Sequence, residues 1–301
     1  MDFDLSDAQQ TRLDGVNRLV DEAGGMNADP AVLDSALFAS DVASSASVVD
    51  RFLIAEELAR LGTGGAFGTR VLVDDLLPES VPTGGVAIAE ADRRGPVRFA
   101  DTATALVVLD GSTARLFTPE QSDVSGAKTI SGYRYGRVSP SGRGVSLPDG
   151  LGEAVRRRWR LALVAEIAGN AHSAIHHTSQ HLTSRIQFGR PLSSFQALRH
   201  RLAESTVSAE ATRWLGRDAA FHDDTHRTVR AAWYASHTVA QLVPELVQMC
   251  GARSFTMAFG LHTFTMRMNC LRLELGGIDR IGAELTGASA DSADRALAGS
   301  R

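Results

Sequence analysis

The stretch from Ser184 to Ser205, SRIQFGRPLSSFQALRHRLAES, gathers an arginine, a glutamine and an aromatic around a glycine between two helical patterns. These residue types suit a phosphorylated ligand carrying a flat ring. The Arg185 guanidinium can donate in a fork to phosphate oxygens, Gln187 adds amide donors, and Phe188 offers a planar face. Gly189 lets the backbone turn tightly. Taken alone, an arginine and a glutamine at a helix end are more often solvated caps, because cations are favoured near helix C-termini. A second stretch, QMCGARSF at 248–255, places Gln248 and Gly251 at another helix end.

Two further patterns invite chemistry and support it less well. HSAIHHTSQH sets His172 with His176, and His177 with His181, at the i,i+4 spacing that can chelate a metal, yet no carboxylate or cysteine completes a ligand set. A polar helix face is the better reading. GTGGAFG at 62–68 is rich in glycine but follows a helical pattern and lacks the Lys-Ser/Thr ending of a phosphate loop, so it reads as a helix terminator and link.

The elements that must carry these residues fall into three textures. Residues 1–77 read as a small helical domain: Ser6 is a cap for one amphipathic run, and SVVDRFLIAEELARLG has apolar positions at helical spacing before Gly62. Residues 78–148 change to short β-rich runs, VAIAEA, TALVVLDG, TARLFT and GYRYGRVS, punctuated by Gly, Pro, Ser and Asp, and are expected to form a compact antiparallel sheet. Residues 149–301 return to long amphipathic helices that can pack as a four-helix bundle, with Pro244 a kink in one of them and a flexible tail from Gly287. The expected fold class is therefore α+β and mainly α.

Composition narrows the function. At 301 residues, with 44% hydrophobic and 22% charged residues and a mean hydropathy of -0.07, the chain is ordinary for a globular protein of two or three domains. A net charge of -4 gives no electrostatic reason to expect nucleic acid or an anionic membrane. Cys250 and Cys270 are the only cysteines, and no apolar run approaches bilayer length, so a reducing cytoplasm is expected. Lys128 is the sole lysine among the basic residues.

The order of helices, sheet and bundle, with MDFDLSDAQQ at the start, EEL at 56–58 and above all SRIQFGRPLSSFQALRHRLAE, resembles the acyl-CoA dehydrogenase family from residue 1 to about 285, most strongly in the C-terminal half. The resemblance implies an N-terminal helical domain, a reduced middle β domain and a C-terminal bundle. It also implies FAD lying across a subunit boundary, its ring held by one subunit's sheet domain and its ADP end by the neighbour's bundle. Arg185, Gln187, Phe188, Gln196, Gln248 and Gly251 match positions that grip the ADP portion, with Ala252 replacing a second glycine.

The same resemblance exposes what is missing. The family's reaction removes the α-proton of an acyl-CoA with a carboxylate. One base position falls at Ala258 and the other at Trp159, beside Arg160, which does match; no Asp or Glu occurs between Glu245 and Glu274. A methyl cannot accept a proton and an indole only donates one, so neither can replace the base. The T-E-P, G-S-D and E-G-T patterns of the family appear here as AIAEADRRGPVRFADTA and as LGG at 275–277. With these features the resemblance implies the shorter, base-lacking subunit of a heteromeric α2β2 dehydrogenase, like those of actinobacterial steroid and bulky acyl-CoA breakdown. A full-length catalytic partner, an acyl-CoA substrate reached through the complex and an electron-transfer flavoprotein are implied with it. Other carboxylates remain, chiefly Glu153, Glu166 and Glu274, and read better as surface or paired residues. Two alternatives stay open: a homomeric enzyme with a displaced base such as Glu166, and a flavin-free scaffold.

Overall fold

The computed structural model describes residues 5–287 apart from Arg94 and Ser141; the tail expected to be flexible, 288–301, lies outside the described residues. The chain divides into two compact units, Met1–Ala162 and Leu163–Arg301. Helices dominate, with a small amount of sheet, as the composition of the segments predicts.

In the first unit, capping chemistry sets the helix starts. α1 (Asp7–Glu22) and α3 (Val48–Arg60) each begin with a capping box, Ser6 with Gln9 and Ser47 with Asp50, in which side chain and backbone satisfy each other's free N–H groups. α2 (Pro30–Ala39) starts with Asp29 as cap and Pro30 at its first position, where a missing N–H costs nothing. α3 ends at Gly62, which takes φ 76°, and Thr63 N–H donates to Leu58 O at 3.1 Å. GTGGAFG is therefore the terminator of α3 and the link to α4 (Phe67–Val73). Phe52, Leu53, Ile54, Ala55, Leu58 and Ala59 are all buried, so α3 is a core helix.

The strands of this unit form two sheets. β1 (Val86–Glu90), β3 (Ala105–Asp110), β4 (Thr113–Phe117) and β7 (Val145–Ser146) make a four-stranded sheet in the order β1-β3-β4-β7, while β2 (Val97–Arg98), β6 (Tyr135–Pro140) and β5 (Ser122–Ala127) pair as β2-β6-β5. The expectation of one antiparallel sheet needs correction: β1 and β3 run parallel, Val86 opposite Ala105 through Glu90 opposite Leu109. Parallel neighbours need a crossover rather than a tight turn. Here residues 91–104 supply it, leaving through β2 in the other sheet before returning. Ala87, Ala100, Leu106 and Phe117 form a core against these strands.

α5 (Leu151–Ser184) is unbroken for 34 residues, about 51 Å. Its first turns belong to the first unit. Gly152 is required there, because a Cβ would lie 2.6 Å from Ser112 O. Arg156 donates from Nε and Nη2 to the two oxygens of the buried Glu90 carboxylate, each at 2.9 Å, and from Nη1 to Gly111 O at 2.6 Å. Arg158, also buried, reaches Leu72 O at 3.4 Å and Asp75 at 3.7 Å.

In the second unit, the rest of α5 is lined by small and aliphatic residues, Leu163, Val164, Ala165, Ile167, Ala168, Ala171 and Ala174, all buried, which lets neighbouring helices approach closely. α6 (Gln196–His222) and α7 (Thr225–Cys250) are antiparallel neighbours, with Thr212 Oγ1 donating to Thr238 Oγ1 at 3.1 Å in the middle of the pair. α7 starts on the Asp224 cap and runs through Pro244; α8 (Leu261–Leu275) and α9 (Gly277–Leu285) complete the bundle. Among the described residues no helix is long and apolar enough to cross a membrane.

Candidate functional site

At the C-terminal end of α5 the chain turns back on itself in two strands, β8 (Ile186–Gln187) and β9 (Arg190–Pro191), joined by Phe188 and Gly189. Both joining residues have positive φ, 53° and 78°, the signature of a two-residue type I′ hairpin. Glycine adopts this conformation freely; phenylalanine does so at a cost. Arg185 N–H closes the helix on His181 O at 2.9 Å, and Leu192 N–H returns to Arg185 O at 2.9 Å, so the arginine is pinned at its backbone while its side chain stands exposed. Phe188 is 90% exposed. Its ring meets Phe195 edge-on at 6.1 Å, and the Arg190 guanidinium lies 4.1 Å over Phe195. Gln187, also exposed, donates one amide hydrogen to Ile186 O at 2.7 Å.

The other expected residues arrive through the α6–α7 pairing. Arg201 holds Glu245 at 2.6 Å, which sets the start of α6 beside the end of α7, and so Gln196 beside the turn after Cys250. Cys250 Sγ donates to Thr178 Oγ1 at 3.6 Å, bringing that same turn against the last turns of α5. Burial pushes the Cys250 thiol up, with the Thr178 bond opposing, so it stays protonated near neutral pH. Gly251 takes φ 60°, ψ -150°, a backbone that disfavours any side chain, and its N–H returns to Gln248 O. Gln196 and Gln248 are both exposed. Arg185, Gln187, Phe188, Gln196, Gln248 and Gly251 thus share one end of the second unit.

Two residues at that end, Arg253 and Phe259, were not singled out by pattern. Phe259 packs edge-on against His177 at 4.5 Å and His181 at 5.1 Å, and the Arg253 guanidinium lies 5.4 Å over the same ring. Burial first, then the charges of Arg253 and Arg185 and the neighbouring His177, hold the His181 imidazole below its ordinary pKa. Two guanidinium charges therefore act on one buried imidazole. Among the described residues neither Arg185 nor Arg253 makes an ion pair. The only signal in the sequence was an arginine five residues after Gln248, inside a stretch read for its glutamine and glycine.

The i,i+4 histidine pairs separate in the structure. His176 Nε2 pairs with the Gln180 amide at 2.9 Å, while His177 and His181 turn toward Phe259; among the described residues no three potential ligands gather around a metal. Trp159 and Arg160 are buried on the part of α5 that belongs to the first unit. Ala258 is exposed in the single turn Met257–Phe259 of the second unit. Of the remaining carboxylates, Glu153 is exposed, Glu166 is 5% exposed, and Glu274 is half-buried on α8.

The comparisons with known proteins bear on the fold and on the second unit. Residues 157–285 match the model of the acyl-CoA dehydrogenase C-terminal domain. Acyl-CoA dehydrogenase IpdE2 of Mycobacterium tuberculosis is 33% identical over 107 residues, which is 36% of this chain and 34% of that protein. The chain thus matches about a third of the length of that relative. Among solved structures, a chain of the ChsE4-ChsE5 complex from Mycobacterium tuberculosis superposes with a TM-score of 0.78 at 18% identity, covering 96% of this chain and 100% of that one. A chain of the Tcur3481-Tcur3483 steroid ACAD G363A variant superposes with a TM-score of 0.72 at 20% identity, over 95% and 96% of the two chains. The fold is the acyl-CoA dehydrogenase fold, and the bundle from 157 to 285 matches the model of that family's C-terminal domain.

Proposed function

We propose that this chain, with its acyl-CoA dehydrogenase C-terminal domain, is a subunit of a heteromeric, FAD-dependent acyl-CoA dehydrogenase of the cytoplasm. It completes the ADP half-site of a catalytic partner and carries no base of its own. The observation that carries the reading is a contrast within the chain. Both positions where the family places a carboxylate hold Trp159 and Ala258, while Arg185, Gln187 and Phe188 stand exposed around a built hairpin.

The donor set fits an ADP group. Arg185 has no carboxylate competing for it among the described residues, so its fork is available to a diphosphate. The Gln187, Gln196 and Gln248 amides can serve phosphate, ribose or adenine edges, and the exposed Phe188 ring offers a face for a base or sugar. Gly251 keeps the turn open, since no atom lies within 4 Å of where its Cβ would stand. FAD, when bound, supplies the acceptor for the hydride that leaves the β-carbon of the acyl-CoA. The partner subunit supplies the carboxylate for the α-proton, and an electron-transfer flavoprotein takes the electrons onward.

Two neighbours support the heteromeric assignment and suggest a bulky or steroid-derived acyl group: one is a two-component complex, ChsE4-ChsE5, and the other a steroid dehydrogenase with a paired name. A displaced base is the rival reading, and the buried Glu166 is the carboxylate that favours it. Expression of this chain alone, and together with the acyl-CoA dehydrogenase encoded beside it, separates the two. A stable yellow complex only on co-expression, with one FAD per pair of unlike chains, is the expected result. A yellow, active homo-oligomer of this chain alone would overturn the proposal and direct attention to Glu166→Gln.

A further inference from the structure

We propose that Arg253 is a second ligand for the diphosphate, acting with Arg185 on the same anion above the buried His181 imidazole. The inference rests on the ADP half-site reading and adds to it a residue and a proton. Its footing is geometric. Gly251 ends α7 in a conformation that turns the chain sharply, and Arg253 follows two residues later on the turn Gly251–Phe255. Phe259 then packs on His177 and His181 of α5 and carries the Arg253 guanidinium 5.4 Å over its ring. Arg185 leaves the same helix one turn beyond His181, its N–H bonded to His181 O at 2.9 Å. The two arginines lie 68 positions apart in the chain, and both stand beside His181, Arg185 through its backbone and Arg253 through the Phe259 ring.

Both arginines are exposed and neither has a carboxylate partner among the described residues, and a diphosphate has enough oxygens to engage both forks. The charged neighbours of His181 are Arg253 from the turn after α7, Arg185 from the end of α5 and His177 from its previous turn. All three, together with burial, disfavour the imidazolium in the free protein. A bound diphosphate offsets the two arginines, so His181 becomes easier to protonate in the complex than in the free chain. By linkage the anion then binds with uptake of a proton, and binding strengthens as pH falls from about 8 toward the ordinary histidine range near 6.5.

The test is calorimetric titration of the full-length chain with ADP and with inorganic pyrophosphate, at pH 8 and pH 6.5, in buffers of different ionisation enthalpy. Arg253→Met keeps the aliphatic stem on Phe259 and removes the charge; it is expected to weaken ADP about 10- to 100-fold, the range for one charge-assisted bond. Arg253→Lys, which restores the charge without the fork, is expected to recover part of that loss. Wild-type protein is expected to take up a fraction of a proton on binding, and His181→Phe to abolish the uptake while its thermal unfolding stays cooperative. Proton uptake separates this role from a merely structural one, since a misplaced turn would lower affinity without removing the buffer dependence. If Arg253→Met binds ADP as wild type does while Arg185→Gln fails to, the second ligand is excluded and the half-site reading stands. If Arg185→Gln is also neutral, or the wild-type chain binds neither probe, both readings fall.

Discussion

The two ends of α5 carry the same residue types and do opposite things with them. Near its start, Arg156 and Arg158 are spent internally, one forking onto the buried Glu90 and the other reaching Leu72 O and Asp75, and the next residue, Trp159, is buried. At its end Arg185 is exposed without an ion pair among the described residues, and the chain that follows is shaped into a hairpin rather than packed away. The lesson is that an arginine's partner, more than its position on a helix, tells structure from recognition. An arginine with a carboxylate is an internal brace. One without is an unfilled valence for an anion.

That contrast can be broken by experiment. The largest effect is expected at the closed end: Trp159→Ala should cost about 3 to 5 kcal/mol of stability in urea titration, as for other large buried side chains. Retained flavin in whatever complex still folds would show that Trp159 serves packing. Next, Arg156→Met strands the buried Glu90 carboxylate and should destabilise by roughly 3 kcal/mol, with the double variant Glu90→Leu, Arg156→Met recovering much of the loss. A double variant no better than the single would mean the pair is not an isolated brace. At the open end the signs reverse: Arg185→Ala should leave the urea midpoint unchanged and reduce FAD retained by the co-purified complex about 10- to 100-fold. An Arg185→Ala protein that unfolds early would erase the distinction between the two ends.

The smallest effect tests the first unit against acid. Burial alone would raise the Asp50 carboxyl, but bonds from Gln9 and from Ser47 backbone and side chain outweigh it and hold the carboxyl below its ordinary range. A folded pKa below the unfolded one stabilises above about pH 4 and is lost as pH falls through the folded value. Asp50→Ala should therefore cost about 1 kcal/mol at pH 7 and flatten the acid limb of stability against pH.

Local chemistry was legible in the sequence, and long-range pairing was not. The cap at Ser6, the terminator at Gly62 and the tight turn at Gly189 follow from residues a few positions apart, whereas the hairpin that Gly189 closes was not read. The run GYRYGRVS announced a strand, yet nothing in it said that β6 would leave the sheet of β3 and β4 and pair with β2 and β5. β5 itself, SDVSGA, carries a single β-branched residue and gave no signal. The parallel sense of β1 and β3 depends on a crossover whose return point no local pattern encodes. The same limit applies at the bundle end. Arg185 was visible because its neighbours along the chain share its chemistry, whereas Arg253 and His181 come to the same Phe259 ring only after α6 and α7 have doubled back.

The hairpin tip also bears on how such a protein could be stabilised. Asparagine at the first turn position is the residue that a type I′ turn prefers, ahead of glycine at the second, so Phe188→Asn would replace a strained residue by one that relaxes there. It would also remove a large apolar surface from water. A selection for solubility or heat tolerance would therefore be drawn to position 188. The variants it returned would be better folded and, on the present proposal, worse at closing their partner's cofactor site, a trade-off concentrated in a single side chain.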